Sequence, residues 1–128
     1  MPNSDFTVLI IDDDPLHLKL YTWILQGKGY KCVTAQVKST SVDLPGAAPD
    51  LVLLDYRLSS SLTSVDVARQ VKLAFDAVPI IVLSELQWMP EEIRDHATDF
   101  VNKGDPQKLV ERLATLLQGS KSHEEERP

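Results

Sequence analysis

The apolar positions of this chain come in two periods. Val8, Leu9, Ile10 and Ile11 run together without alternation, as do the aliphatic residues of DLVLLD at 50–55 and VPIIVLS at 78–84. Short continuous runs of this kind predict strands buried on both faces, the pattern of a parallel sheet. YKCVTA at 30–35 and DFVNKG at 99–104 add two further short strands. Between them the period lengthens. Leu16, Leu18, Leu20, Trp23, Ile24 and Leu25 recur at mixed three- and four-residue spacing, predicting an amphipathic helix that stops at Gly27 or Gly29, with Trp23 in its core face. Val67, Ala68, Val71 and Phe75 mark another helix, and Asp105-Pro106 opens a last one carrying Leu109, Val110, Leu113, Leu116 and Leu117. QVKSTSVDLPGAAP is rich in Ser, Thr and Pro, so the second helix there is weak. Pro90 opens PEEIRDHA, a short fourth helix of about two turns. GSKSHEEERP is polar and uncapped. The domain is therefore expected over 1–118, with 119–128 a flexible tail or linker stub.

Strand and helix alternate throughout, which calls for a doubly wound α/β fold: a five-stranded parallel sheet with helices on both faces. Open sheets of this class place ligands at the carboxyl ends of their strands. That edge is informative here. Asp12 and Asp13 end the first strand, Asp55 the third, Ser84 the fourth and Lys103 the fifth. Asp14 is accounted for as a helix N-cap with Pro15 at the first helical position. Asp12 and Asp13 are not, and like charges so close call for a cation or donor nearby. Carboxylates on one rim form the hard oxygen site that Mg2+ prefers. Such a metal would leave Asp55 as a carboxylate nucleophile toward phosphorus, with Lys103 and Ser84 supplying a charge and a hydroxyl to phosphoryl oxygens.

Composition narrows the partners. With 128 residues the chain suits one domain, and its formal charge of −6, with 13 scattered basic residues, argues against direct nucleic-acid binding. The single cysteine, Cys32, excludes an internal disulfide, suits a reducing cytoplasm and reads as core packing. No apolar run is long enough to span a membrane. His17, His96 and His123 show no ligand spacing and are assigned no chemistry.

LIIDDDP, LVLLDYRL, PIIVLS and DFVNK, in this order and spacing, resemble the receiver domains of bacterial two-component response regulators over about residues 6–118. DYRLSSSLTSVDVARQV is reminiscent of receivers attached to hybrid histidine kinases. The resemblance implies a flavodoxin-like strand order of 2-1-3-4-5. It implies that Asp12 and Asp13 form the acidic pair, with Asp13 and Asp55 as direct Mg2+ ligands beside the Arg57 main-chain carbonyl. It implies that Asp55 is phosphorylated by a histidine kinase or histidine phosphotransfer protein. Ser84 and Phe100 then correspond to the switch pair and Lys103 to the phosphate-binding lysine. An output domain or partner protein would read the switch.

Four departures bear on that switch. Gly104 stands where receivers usually carry proline, SSSLTS replaces a Pro- and Gly-bearing loop after Asp55, and Glu85 follows Ser84 in place of a small residue. Only 18 residues separate Ser84 from Lys103, about a helical turn fewer than usual. Arg57 and Glu85 are expected to face each other across the mouth of the site and modulate access, and Trp88 to lie in a loop beside it. Two other classes stand beside the phosphorylatable receiver: a pseudo-receiver that binds partners without phosphoryl chemistry, and a haloacid-dehalogenase-like phosphatase using Asp12 as nucleophile. The first reading makes the chain a signalling domain whose only catalysis is its own phosphorylation and dephosphorylation.

Overall fold

The computed structural model describes residues 2–59 and 61–125, with side chains described for 3–59 and 61–118. Five strands form one parallel sheet: β1 (Thr7–Asp12), β2 (Lys31–Gln36), β3 (Leu51–Asp55), β4 (Ile80–Ser84) and β5 (Asp99–Asn102), in the order β2-β1-β3-β4-β5. That is the expected order. Among the described residues four α-helices flank it: α1 (Pro15–Gly27), α2 (Ser64–Phe75), α3 (Glu91–Arg94) and α4 (Pro106–Glu125).

The unbroken aliphatic runs follow from burial on both faces. Val8, Ile10, Leu51, Leu53, Ile81 and Leu83 point to one side, where they pack with Leu18, Tyr21 and Leu25 of α1 and Leu109, Leu113 and Leu117 of α4. Their sequence neighbours Leu9, Ile11, Val52, Leu54, Ile80 and Val82 point to the other, against Val67, Ala68 and Val71 of α2 and Ile93 of α3. A side chain of this size stabilises by about 1.5–3 kcal/mol when fully buried, so both layers are needed to hold the central strands.

Local signals fix the helix ends. The Asp14 side chain accepts from Leu16 N at 2.9 Å and Pro15 follows, so α1 starts where the cap predicts. It stops at a left-handed residue, Gly29 (φ 95°), a conformation that costs a side-chain-bearing residue energy. Thr63 and Asp66 exchange side-chain and backbone hydrogen bonds at the start of α2, a complete capping box.

Three expectations need correction. No second helix forms: residues 37–50 run without one, and Val37 and Val42 insert into the α2-side core from this irregular segment. Trp23 is not core but 75% exposed, because the inward face of α1 is taken by Leu18, Tyr21 and Leu25. The last helix continues to Glu125, through residues 119–125 of the expected tail; residues 126–128, and Ser60 of the Ser/Thr loop, lie outside the described residues.

The expected short fourth helix is α3, reduced to a single turn and anchored by fully buried Ile93. So little regular hydrogen bonding gives residues 86–98 low local stability. Their amides are expected to exchange at least about 100-fold faster than those of β1, β3 and β4. Hydrogen exchange read by NMR checks this, and equal protection would contradict it.

Candidate functional site

The register of the sheet delivers the polar rim. Ile11 pairs with Leu54, Asp55 with Leu83 and Ser84 with Asn102, so the last residues of β1, β3, β4 and β5 end together. Asp12, Asp55 and Ser84 are all buried there. Asp55 and Ser84, with Asp13 and Lys103, line a cavity of about 410 Å³. Arg57 and Glu85 line its mouth, as does His17.

Lys103 reaches back so that Nζ lies 2.7 Å from Asp55 Oδ1, an ion contact by distance although not aligned as a hydrogen bond. Among the described residues Asp55 Oδ1, buried beside Lys103, has no hydrogen-bond partner. Burial alone would lower the pKa of Lys103, but the neighbouring carboxylates of Asp55 and Asp12 outweigh it and hold the ammonium above its usual value.

Asp12 carries the surplus negative charge. Burial pushes its carboxyl up to about 7; the amide of Asp14, donating at 3.1 Å, opposes the shift, and the charge of Asp55 adds to it. A buried carboxylate this uncomfortable is the electrostatic signature of a site suited to a cation. The donor set agrees: Asp12, Asp55 and His17 each offer one ligand atom, all within 4.8 Å of one another. The acidic residues Asp12 and Asp55 are thus positioned to bind a metal.

The other expected residues are distributed around this centre. Asp13 lines the cavity, but its Oδ2 accepts from the amide of Ser59 and it stands outside the three-residue cluster. Ser84 Oγ accepts from Leu86 N at 3.1 Å, so it caps the turn after β4 while keeping its own proton to donate. Phe100 is half-buried against the α2-side core. Arg57 and Glu85 share the mouth without forming an ion pair. Gly104 N donates to Asn102 Oδ1 at 2.7 Å, a bond that proline, lacking the N–H, cannot make. Trp88 is 68% exposed in the segment between β4 and α3.

Sequence reasoning missed three participants. His17 Nδ1 lies 3.2 Å from Asp12 Oδ2 and Nε2 lies 3.6 Å from Asp14 Oδ2. Its signal was the spacing Asp14-x-x-His17, which puts the imidazole one turn along from the acidic cap. Tyr56, next to Asp55, donates its hydroxyl to the Glu92 carboxylate on α3. Asn102, next to Lys103, donates to the carbonyls of Glu85 and Leu86, at 3.3 and 3.1 Å.

The family model described as response regulator receiver domain matches residues 8–114. The chain is 29% identical over 130 residues to the phosphate regulon transcriptional regulatory protein PhoB of Pseudomonas aeruginosa, covering 95% of this chain and 56% of that one. It is 32% identical over 117 residues to the DNA-binding response regulator MtrA of Mycolicibacterium smegmatis, covering 86% and 50%. The chain thus spans about half the length of these relatives. The chemotaxis response regulator CheY4 of Vibrio cholerae has the same fold, with a TM-score of 0.72, 22% identity, and coverage of 88% of this chain and 98% of that one.

The Asp12 shift sets a pH dependence of stability. A carboxyl whose folded pKa is raised contributes stability that is fully present below its unfolded value near 3.8 and is lost as pH rises through about 7. In metal-free buffer, Asp12→Asn should therefore stabilise the fold at pH 8 by on the order of 2 kcal/mol and give no gain at pH 4. Urea denaturation at the two pH values measures it. A variant no more stable than the parent at pH 8 would show that Asp12 is not strained.

Proposed function

The chain belongs to the response regulator receiver domain family, and from that membership we propose that it accepts a phosphoryl group on Asp55 from a histidine kinase or histidine phosphotransfer protein, with Mg2+ at the acidic rim. The observation that carries the reading is the pairing of Lys103 with buried Asp55 at 2.7 Å on the wall of the cavity. A carboxylate oxygen of Asp55 attacks phosphorus. The phosphorus–nitrogen bond of the donor phosphohistidine breaks, its electron pair stays on the imidazole, and that nitrogen takes up a proton. Lys103 follows the charge onto a phosphoryl oxygen, and Ser84 turns its hydroxyl proton to another.

Asp12 and Asp55 would hold the Mg2+, with Asp13 and the Arg57 main-chain carbonyl completing the set that the family resemblance implies. The ion, when bound, neutralises phosphoryl charge that the surrounding carboxylates would otherwise repel. Phe100 and Ser84 form the switch, while Arg57 and Glu85 at the mouth modulate the entry of the attacking water in hydrolysis. A phosphatase using Asp12 is disfavoured, because that side chain is only 1% exposed and is engaged by Asp14 N and His17.

A protein donor needs a seat beside the rim. Leu16, Leu20 and Trp23 stand on one exposed stripe of α1, the helix whose first turn borders the cavity. We assign this stripe to the phosphodonor. The relatives PhoB and MtrA are by name a transcriptional regulator and a DNA-binding regulator; here an output domain or partner protein would respond to the rim. The domain reads as one over 1–118. Among the described residues no helix is long and apolar enough to cross a membrane, and Cys32 is a free, partly buried thiol, which suits a cytoplasmic setting.

With acetyl phosphate and Mg2+, intact-mass measurement should find one phosphoryl group on the chain and none on Asp55→Asn. Labelling that survives in Asp55→Asn would overturn the assignment. An unlabelled parent chain that still binds partners would favour a pseudo-receiver. Leu20→Glu should slow transfer from a phosphorylated histidine kinase by about tenfold and leave acetyl phosphate labelling unchanged; an equal rate from the kinase would remove the stripe from the docking surface.

A further inference from the structure

The phosphoryl chemistry proposed for the rim gives His17 no role. Its ring is held between two carboxylates that come from the turn between β1 and α1. On one side Nδ1 lies 3.2 Å from buried Asp12 Oδ2; on the other Nε2 lies 3.6 Å from Asp14 Oδ2. Asp14 is itself fixed, because its Oδ1 caps α1 at Leu16 N. The Tyr21 ring, buried one turn further on, meets the imidazole edge-on at 6.5 Å and 68°. The ring is therefore oriented from three directions while 42% of its side chain stays exposed toward the cavity mouth.

That orientation has a chemical meaning. A carboxylate that engages the distal N–H of a histidine fixes the tautomer, leaving the other nitrogen with a lone pair for a cation. Asp14 Oδ2 stands 3.6 Å from Nε2, just beyond hydrogen-bond distance, on the side away from Nδ1, which faces Asp12 in the cluster that also holds Asp55. The separations suit a shared ion. Two adjacent ligands of an octahedral cation lie about 3 Å apart and opposite ones about 4.2 Å. The Nδ1 to Oδ2 distance is 3.2 Å, and all three ligand atoms lie within 4.8 Å of one another, so an ion drawing them in would shift them by about half an ångström. Asp55 borders the same cavity and is 3% exposed, and its buried Oδ1 meets Lys103 Nζ at 2.7 Å without a hydrogen-bond partner.

We propose that His17 is a third protein ligand, with Asp12 and Asp55, and that its nitrogen biases the rim toward a divalent first-row transition cation over Mg2+. The inference rests on the reading that the rim takes a divalent cation. Carboxylates and water suit Mg2+, whereas imidazole suits the later transition metals, so adding one nitrogen to an oxygen site raises affinity selectively for these. Asp14 acts as a positioning residue through the imidazole, and an ion held by His17 couples the first turn of α1 directly to the ends of β1 and β3.

Cobalt(II) is the probe, added to the metal-stripped full chain, with Mg2+ as the reference. The proton NMR spectrum of the cobalt complex should show one contact-shifted, exchangeable imidazole N–H, assigned to His17 and absent from His17→Gln. Calorimetric titration should find Co2+ affinity at least about tenfold lower in His17→Gln and Mg2+ affinity changed by less than about twofold, which also shows that the variant is folded. An unchanged ratio of Co2+ to Mg2+ affinity would overturn the proposal. So would a shifted N–H assigned to His96 or His123. Labelling of the parent chain by acetyl phosphate with Mg2+, measured separately, reports on Asp55 alone, so the selectivity can fail while the phosphoacceptor reading stands.

Discussion

One lysine answers for two buried carboxylates. The parallel sheet is covered on both faces, so polar groups at the ends of its central strands have only the rim to occupy, and Asp12 and Asp55 occupy it almost without exposure. Desolvating an ion costs several kcal/mol unless a partner compensates. Lys103 compensates Asp55 at 2.7 Å, and breaking a buried pair by removing one partner typically costs about 3–5 kcal/mol. Asp12 has no such partner, only an amide at 3.1 Å and a half-exposed imidazole, and its proton affinity rises accordingly. The unequal sharing of one cation between two carboxylates is what suits the rim to a metal ion.

The residues next to the site tie it to the rest of the rim. Tyr56 follows Asp55 and bonds Glu92, joining the end of β3 to α3. Asn102 precedes Lys103 and holds the two carbonyls that follow Ser84, joining β5 to the β4 loop. Asp13 bonds the amide of Ser59, joining β1 to the loop after β3. A charge added at Asp55 changes what Lys103 and Ser84 face, and their chain neighbours are the ones that clamp these loops. Because α3 is one turn held mainly by Ile93, it is the element of the rim that resists such a change least.

Much of this was legible in the chain. Val8–Ile11 and Leu51–Leu54 read as strands because burial on both faces demands continuous apolar residues, and the same demand pushed Asp12 and Asp55 to the strand ends. The strand order came with the family resemblance, since periodicity carries no information on which strands are neighbours. Local pattern failed where tertiary packing decided. The segment after β2 forms no helix, and Val37 and Val42 are buried in the α2-side core from an irregular stretch. Trp23 is exposed because α1 carries more apolar residues than its inward face can take. His17 was silent because its contact with Asp12 is made across the turn between a strand and a helix, where neither the strand period nor the helix period applies. Arg57 and Glu85 are opposite in charge and near the same mouth, yet each remains solvated, and exposed pairs gain only about 0–1 kcal/mol by meeting.

The central claim, surplus negative charge at Asp12 that a cation relieves, is open to direct observation at the carboxyl carbon. A carbon-13 NMR titration of the side-chain carboxyls, with and without Mg2+, follows each aspartate separately. In metal-free buffer Asp12 should titrate near 7, and in saturating Mg2+ its transition should fall by at least about two pH units. An Asp12 that titrates near 4 without metal, or whose transition ignores Mg2+, would contradict the account.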